Sequence, residues 1–225
     1  MRTLAIGDIH GCHAALTTLL EHVAPRSDDR IVFLGDYIDR GPASREVIEL
    51  LLKSGDKFNA VCLRGNHEAM ILEARHDTLK ANLWGSYGGF EALISYNAEY
   101  DPNWQALIPD SHWTFFESTQ RYFENENHIF IHACLDPETD MAEQPDWLLY
   151  WESIERLRPH KSGKRIICGH TPQKSGQILN LGFALCIDTS AVNGQWLTCL
   201  DVDSGEWVQA NEKHETRRGS ISAYS

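Results

Sequence analysis

Short apolar runs alternate with stretches of helical spacing in the first third of the chain. The apolar runs are rich in strand-forming residues and end in turns that contain glycine and acidic residues. Between them, apolar residues recur every three to four positions, which is typical of helices that face a core. The predicted strands cover 2–6, 31–34 and 58–63, and the predicted helices cover 14–23 and 42–55. This alternation predicts a layered α/β fold.

The pattern loosens between about 77 and 125, where aromatic residues are mixed with glycines and two proline turns. We expect this region to be an insertion, mostly helical, that packs over the sheet. Its aromatic residues either form a satellite core or shape a substrate cleft. A satellite core is the more common outcome for an aromatic-rich stretch.

Strand-like runs return at 128–131 and 165–168 and recur in the last third of the chain. The last runs cover 183–187, 195–202 and 206–209, and Asn-Gly and Ser-Gly turns between them predict hairpins. From about 210 onward the chain is polar, and we expect it to be frayed. The whole chain, 1–225, is therefore predicted to be one domain with an insertion at about 77–125.

The composition is that of a globular protein, with 225 residues, 42% hydrophobic and 23% charged. A net charge of −12 argues against nucleic acid as the main partner. No apolar run approaches the ~18 residues that cross a bilayer, and Asp8 interrupts the N-terminal run before it resembles a signal peptide. We therefore expect a cytoplasmic protein that does not bind membranes and whose main partner is not nucleic acid.

The six cysteines contain no C-x-x-C pair, and most lie inside or beside apolar runs. In this setting, buried free thiols in a reducing compartment are favoured over disulfides.

Five of the predicted strands end in residues that can bind a metal ion or transfer a proton. These residues are Asp8 with His10, Asp36 with Asp39, Asn66 with His67, His132, and His170. In open α/β sheets, ligands gather outside the carboxyl ends of the strands. Any one of these residues alone is explained as a turn residue or a helix cap. Their recurrence at five strand ends predicts one shared site.

The ligand types in this set, Asp, His and Asn without a thiolate, suit divalent manganese, iron or zinc. There are enough ligands for two ions with one shared carboxylate, and Asp36 is the natural bridge. Two ions ~3.5–4 Å apart convert a water to hydroxide and stabilise in-line attack on phosphorus. Such cations would also reverse the acidic field that otherwise disfavours a phosphate ligand.

Three segments resemble the signature motifs of the PPP-type serine/threonine phosphatases, which belong to the calcineurin-like metallophosphoesterase superfamily. The segments are 7–11 (GDIHG), 35–41 (GDYIDRG) and 64–68 (RGNHE), and the later segments His132-Ala133 and Gly169-His170-Thr171-Pro172 match the two remaining metal histidines. Motif order and spacing agree from residue 4 to about 191, and the short length is most similar to bacterial and phage members. The resemblance implies a β-sandwich of two mixed sheets flanked by helices.

The resemblance also implies a role for each residue. One metal would be held by Asp8, His10 and Asp36, and the second by Asp36, Asn66, His132 and His170. His67 would be the general acid that protonates the leaving oxygen, oriented by Asp39. Arg40 would bind the phosphoryl oxygens in a bidentate way. Manganese is the expected metal, with iron and zinc as alternatives.

One position departs from the family pattern. Many members carry a second phosphate-binding arginine two residues after a tryptophan, where this chain reads Trp151-Glu152-Ser153. Arg156 and Arg158 are the nearby arginines that could replace it. Loss of one charged hydrogen bond costs ~1.5–3 kcal/mol. We therefore expect weaker catalysis or an altered substrate, with the metal site retained.

The resemblance implies a metal-dependent phosphomonoesterase that acts on phosphoserine or phosphothreonine in proteins, so a phosphorylated protein or peptide is the expected partner. A dinucleoside polyphosphate hydrolase with the same metal core is the alternative enzyme; the Asp39-Arg40 pair and Glu68 favour the protein phosphatase. A metal-binding pseudophosphatase that docks phosphorylated partners is a third hypothesis, supported by Ser153. Arg64 is expected to be structural, pairing with an acid near the site.

Overall fold

Two mixed β-sheets stack face to face, with helices on their outer sides, in the computed structural model, which describes residues 2–55 and 57–221. The strands are β1 (Thr3–Ile6), β2 (Arg30–Phe33), β3 (Asn59–Cys62), β4 (Phe123–Glu124), β5 (His128–Phe130), β6 (Arg165–Cys168), β7 (Leu179–Asn180), β8 (Ala184–Cys186), β9 (Leu197–Asp201), β10 (Glu206–Ala210) and β11 (Thr216–Ser220). The helices are α1 (His13–Val23), α2 (Ser44–Gly55), α3 (Asn66–Ala74), α4 (Thr78–Trp84), α5 (Phe90–Ser95), α6 (Asp110–Ser118) and α7 (Asp146–Trp151). The predicted α/β sandwich of two mixed sheets is confirmed.

Each sheet contains three neighbouring parallel strands. The first sheet has the order β11-β10-β9-β1-β2-β3, and the second has the order β4-β5-β6-β8-β7. Strands β1, β2 and β3 run parallel in the first sheet, as do β5, β6 and β8 in the second. The carboxyl ends of parallel strands meet at one edge of a sheet. The loops that follow these six strands therefore lie where a site can form.

Alternate side chains of β1 enter different cores, as the two-residue period of a strand requires. Leu4 and Ile6 belong to an outer core that includes Leu16 of α1. Ala5 lies between the sheets, in a cluster with Val32 of β2 and Leu185 of β8. Apolar residues on both faces explain why this strand lacks an alternating sequence pattern.

The region 77–125 contains α4, α5 and α6, with a kinked turn at Gly85–Gly89 and a 3-10 turn at Trp104–Leu107. Three of its tryptophans, Trp84, Trp104 and Trp113, are buried in the outer core that covers the first sheet. The ring of Trp104 lies between the other two, with its centroid 5.2 Å from that of Trp84 and 6.1 Å from that of Trp113. These three aromatics therefore form core, whereas Tyr87 and Phe90 of the same region are exposed.

The expectation of a frayed tail from about 210 is wrong for the residues that the structure describes. Thr216–Ser220 forms β11, which pairs antiparallel with β10. The guanidinium of Arg217 donates to the carbonyl of Gly176 and stacks on Trp196, 4.5 Å from the ring centroid. Backbone pairing and an arginine anchor hold this edge strand, so a hydropathy pattern does not reveal it. Residues 222–225 lie outside the described residues.

One of the hairpins predicted in the last third is present and one is wrong. Strands β9 and β10 pair antiparallel across the Ser204-Gly205 turn. Strands β8 and β9 lie in different sheets, so the Asn193-Gly194 turn does not close a hairpin. Strand β8 already has β6 and β7 as partners on its two sides.

Among the described residues, no helix combines the length and the apolar character needed to cross a membrane. All six cysteines are free thiols, and five of them are buried.

Asp29 ties the start of β1 to the turn before β2. Its buried carboxylate accepts hydrogen bonds from the backbone N–H groups of Arg2 (3.1 Å) and Arg26 (2.9 Å). The Arg2 guanidinium also donates to it, and this bond holds the pKa of Asp29 well below its usual range. The loop before β2 therefore depends on an ionised carboxylate.

We predict that Asp29→Ala lowers the free energy of unfolding by about 1.5–3 kcal/mol at pH 7. Because folding depresses the pKa, the contribution is present above the unfolded pKa and is lost as the pH falls through the folded pKa. The difference between wild type and variant should therefore shrink in acid. Urea denaturation at pH 7 and pH 3 measures it, with the exposed Glu126→Gln as control. Equal stabilities at pH 7 would contradict the role given to Asp29.

Candidate active site

The loops after the parallel strands hold the predicted site residues in unusual backbone conformations. Nine non-glycine residues in the described ranges have positive φ, and five of them belong to the predicted site. The five are His10 (45°), Asp36 (53°), Asp39 (74°), Arg40 (64°) and His170 (63°). Such conformations cost ~1–3 kcal/mol each and concentrate at functional sites, where the surrounding structure enforces them.

Asp36 lies at the centre of the site and is 2% exposed. One carboxylate oxygen, Oδ2, lies 3.4 Å from Nε2 of His10. The other, Oδ1, lies 3.5 Å from Nε2 of His132 and accepts the backbone N–H of His67 at 3.1 Å. The two oxygens thus face different imidazoles, which is the arrangement expected of a carboxylate shared between two metal ions.

Three histidines at the site are oriented by backbone carbonyls. Nδ1 of His10 bonds to the carbonyl of Ile38 (2.9 Å), and Nδ1 of His132 bonds to that of Leu34 (2.9 Å). His170 is turned the other way, with Nε2 bonded to the carbonyl of Trp151 (3.2 Å). Because a carbonyl accepts, each of these nitrogens carries the proton, and the opposite nitrogen keeps a lone pair. This is how metal-binding histidines are usually held.

Asn66 presents its amide oxygen to two of these lone-pair nitrogens. Oδ1 lies 3.1 Å from Nε2 of His132 and 3.0 Å from Nδ1 of His170. Three groups without an available proton converge on one point here, and a cation would satisfy all of them. Asn66, His132, His170 and Asp36 are the predicted ligands of the second metal, and the structure brings them together.

The predicted ligands of the first metal, Asp8, His10 and Asp36, do not form a single cluster in the way that those of the second metal do. The ligand atoms of His10, Asp36 and His67 lie within 4.8 Å of one another, as do those of Asp36, His132 and His170. Asp8 lies at the same edge, where its buried carboxylate accepts the backbone N–H of His170 at 3.0 Å and 3.2 Å. The structure thus places His67 closer than Asp8 to the His10–Asp36 pair.

The electrostatics of the site fit divalent cations. Burial lowers the pKa of His10 to about 3 and that of His132 to about 4, so both rings are neutral and can act as ligands. Burial, together with the charges of Asp188 and Asp36, raises the pKa of Asp8 well above its usual range. Several buried carboxylates and neutral imidazoles therefore surround one space, and the donor set of oxygen and imidazole nitrogen suits manganese, iron or zinc.

His67 is positioned by Asp39, and Asp39 is positioned by a residue that the sequence analysis missed. Oδ2 of Asp39 accepts from Nδ1 of His67 at 2.6 Å and from the indole N–H of Trp84 at 2.7 Å. Although burial opposes a charge on the ring, Asp36 and Asp39 raise the pKa of His67. Its Nε2 is buried, has no hydrogen-bond partner in the described structure and lies 4.0 Å from Asp36 Oδ2. A proton at Nε2 can therefore be donated toward the centre of the site.

Arg40 lies at the exposed rim of the site. Its guanidinium donates to Nε2 of His10 at 3.2 Å, and its backbone N–H donates to the carbonyl of Gly88 at 3.0 Å. The guanidinium is thus exposed to solvent and adjacent to the metal ligands, as a phosphate-binding group requires.

Neither arginine proposed to replace the missing family arginine reaches this rim. Arg156 pairs with Glu152 at 2.8 Å on the surface, and Arg158 donates to the carbonyls of Glu155 and Leu157. The Ser153 hydroxyl accepts the backbone N–H of Glu155. Arg40 is therefore the arginine that the described structure places at the metal ligands.

Glu68 supports the site without facing it, and sequence reasoning gave it no role. Its buried carboxylate accepts the backbone N–H groups of Asp36 (2.8 Å), Tyr37 (2.9 Å) and Gly65 (3.0 Å). It thereby joins the loop after β2 to the loop after β3. Gly65 fits here because a Cβ atom would lie 2.1 Å from Oδ1 of Asp36. Glu68 lies three residues after Gly65, which is the N-cap of α3. Because glutamates at this N3 position commonly cap helices, the spacing was a usable signal.

Arg64 is structural, as expected, but the prediction that it pairs with an acid is wrong. It donates to the Thr119 hydroxyl at 2.9 Å and to the carbonyls of Phe116 and Glu117. It therefore fixes the end of α6 against the loop after β3.

Asp188 is a third residue to which the sequence analysis gave no role. It follows β8 and is 3% exposed, and it accepts the backbone N–H of Ser190 at 3.0 Å. Burial raises its pKa to about 7, and its charge contributes to the raised pKa of Asp8. The signal was the same as for the other residues, an acid at the end of a strand-like run.

Comparison with known proteins identifies the group to which this architecture is similar. The family model described as calcineurin-like phosphoesterase matches residues 1–189. An asymmetrical bis(5'-nucleosyl)-tetraphosphatase of Geobacillus sp. (strain WCH70) is 26% identical over 226 residues, covering 89% of this chain and 90% of the relative. A symmetrical bis(5'-nucleosyl)-tetraphosphatase of Burkholderia pseudomallei (strain 668) is 38% identical over 139 residues, or 62% of this chain. The match spans only 44% of that relative.

A solved structure, provisionally assigned as a diadenosine tetraphosphatase, has the same fold. It superposes with a TM-score of 0.66 at 21% identity, covering 97% of this chain and 93% of that chain. At this identity the likeness concerns the fold alone.

We predict that Glu68→Gln weakens manganese binding at least about tenfold, because supporting groups around metal ligands typically contribute that much. In the wild type, three backbone N–H groups donate to the Glu68 carboxylate. A glutamine would replace one carboxylate oxygen with an NH₂ group that faces these donors, and the resulting repulsion would displace the loop that carries Asp36. Isothermal titration with Mn²⁺ measures the affinity. Glu73→Gln, an exposed substitution on the same helix α3, is the matched control. Unchanged affinity in Glu68→Gln, together with an unchanged melting temperature, would contradict this role.

Proposed function

Since the chain belongs to the calcineurin-like phosphoesterase family, we propose that it is a metal-dependent hydrolase of dinucleoside tetraphosphates. The convergence of both ligand groups on Asp36 supports the phosphoesterase chemistry. The family implies divalent metal ions, and the oxygen and imidazole ligands of the site fit them. Manganese remains the metal we propose, on the ligand types alone.

The substrate class rests on the relatives. The tetraphosphatase of Geobacillus matches 89% of this chain, and the symmetrical enzyme of Burkholderia matches 62% of it at higher identity. Because the chain spans less than half of the symmetrical relative, the cleavage pattern is not transferred from it. This substrate was the alternative to the protein phosphatase in the sequence analysis, and the relatives favour it.

The residues of the chain would divide the reaction between them. Bound divalent cations would supply positive charge to the phosphate and lower the pKa of a coordinated water. Arg40 would bind and orient the phosphate at the rim through its guanidinium. His67 would hold a proton at Nε2 and donate it to the leaving oxygen, while Asp39 and Trp84 fix the orientation of the ring.

A phosphoserine or phosphothreonine phosphatase is the second candidate, and the Asp39–His67 pair favours it. An alkoxide leaving group is strongly basic and needs a proton donor, whereas a nucleotide leaving group is a much weaker base. A buried carboxylate 2.6 Å from the imidazole is suited to the more demanding reaction. The presence of both Asp39 and His67 also argues against a pseudophosphatase that only docks phosphorylated partners.

We predict that the protein with Mn²⁺ hydrolyses diadenosine tetraphosphate with a kcat/KM at least about tenfold above that for phosphoserine peptides. Chromatography of the products identifies the cleavage, because two ADP indicate symmetrical and ATP with AMP indicate asymmetrical hydrolysis. His67→Asn should lower kcat by about 10²–10⁴ on phosphoserine peptides and by less on the dinucleotide and on p-nitrophenyl phosphate.

The outcomes separate the candidates. A preference for phosphopeptides would overturn the proposed substrate in favour of the second candidate. No activity on any of the three substrates would favour the docking protein. Equal losses in His67→Asn on all three would contradict proton donation by His67.

A further inference from the structure

We propose that a cleft beside the metal ligands binds a nucleobase of the substrate by stacking it on Tyr87 and Phe90. This inference rests on the proposed function and adds the subsite that would recognise the nucleoside. The cleft has a volume of about 510 Å³, within the range of ~300–1,000 Å³ common for small-molecule sites. Its lining includes Arg40, Tyr87, Phe90, Glu91, Val192 and Asn193.

Arg40 connects the cleft to the metal centre. Its guanidinium donates to Nε2 of His10 at 3.2 Å, and the same side chain lines the cleft. Its backbone N–H donates to the carbonyl of Gly88, in the kinked turn that carries Tyr87. A phosphate bound by Arg40 therefore has its attached nucleoside next to this turn.

The kink at Gly88 allows the turn to approach Arg40 closely. Gly88 has a φ of 108°, and a Cβ atom there would lie 2.7 Å from the backbone nitrogen of Arg40. A side chain at this position would therefore separate the turn from the rim of the site. Trp84, just before the turn, bonds to Asp39 and so connects the turn to the proton donor as well.

The two rings are available for a ligand. Tyr87 is 48% exposed and Phe90 is 42% exposed, whereas Trp84 and Trp104 of the same region are 1% and 8% exposed. Exposed aromatic faces beside a phosphate-binding arginine suit a nucleobase, because every base offers a π-face for stacking. A core role does not account for Tyr87 and Phe90.

Polar groups in the cleft offer hydrogen-bond acceptors to a base. Nδ2 of Asn193 donates to the hydroxyl of Ser190 at 2.9 Å, which leaves Oδ1 as an acceptor. Glu91 adds a carboxylate that accepts hydrogen bonds and repels phosphate. Exocyclic amines of purine bases are donors that match both groups. An uncharged base with an amine therefore fits this end of the cleft, with the phosphates at Arg40.

The test compares a substrate with bases and a ligand without them. For Tyr87→Leu, Phe90→Leu and the double variant, we would measure the KM of diadenosine tetraphosphate and the Ki of inorganic tetraphosphate as a competitive inhibitor. The ratio of KM to Ki should rise roughly 5- to 150-fold, the loss expected for one stacked base. Tyr87→Phe keeps the ring and should keep the ratio. Trp147→Leu, at an exposed aromatic position outside the cleft lining, is the control.

The results distinguish failure of the subsite from failure of the proposed function. If the wild type hydrolyses the dinucleotide and the ratio stays constant in the leucine variants, the subsite is wrong and the function stands. An equal rise of KM and Ki would also overturn it, because the rings would then act only through Arg40. If the wild type prefers phosphopeptides and the leucine variants raise the peptide KM, the cleft binds peptide side chains, and both proposals fail.

Discussion

One buried carboxylate organises the site. Asp36 has almost no exposed surface, yet its two oxygens face the imidazoles of two different strand-end loops. An anion in this position is costly unless positive charge or donors surround it. The chain supplies only part of that compensation, through the backbone N–H of His67 and through the His67 imidazole, whose pKa Asp36 raises. Divalent cations would provide the remaining positive charge. The positive φ of Asp36 and the hydrogen bond from its backbone N–H to Glu68 hold the carboxylate in place for them.

The sandwich explains how distant residues reach this carboxylate. Two sets of parallel strands, one in each sheet, end at the same region, so each loop has to deliver only one or two side chains. Two hydrogen bonds connect the insertion to site residues, from the Trp84 indole to Asp39 and from the Arg40 backbone N–H to the carbonyl of Gly88. The residues proposed to donate a proton and to bind phosphate are thereby both held by the region that forms the cleft. On this proposal, a change in that region would alter substrate recognition and proton transfer together.

Much of this arrangement could be predicted from sequence, because strand-end ligands leave a local signature. The predicted ligands Asp36, Asn66, His132 and His170 do meet, since parallel pairing brings strand ends together whatever their separation in sequence. The supporting residues were harder to find. Trp84 acts through a hydrogen bond across 45 residues, and nothing in its local pattern distinguishes it from the core tryptophans.

The tail shows a second limit. Strand β11 is a polar edge strand whose partners are backbone groups and the ring of Trp196, so hydrophobic periodicity carries no information about it. Ser153 was also singled out from the sequence, but whether Arg156 or Arg158 could stand in for a missing arginine required the structure. Only the contacts of Arg156 and Arg158 show that the nearby arginines are engaged elsewhere.

The stoichiometry of metal binding tests the central role of Asp36 most directly. Elemental analysis and Mn²⁺ titration of the wild type should give two ions per chain, as expected for a shared carboxylate. Asp36→Asn should lose high-affinity binding at both positions, while Asp146→Asn, at an exposed position, should retain it. Two ions bound to Asp36→Asn with wild-type affinity would contradict the account.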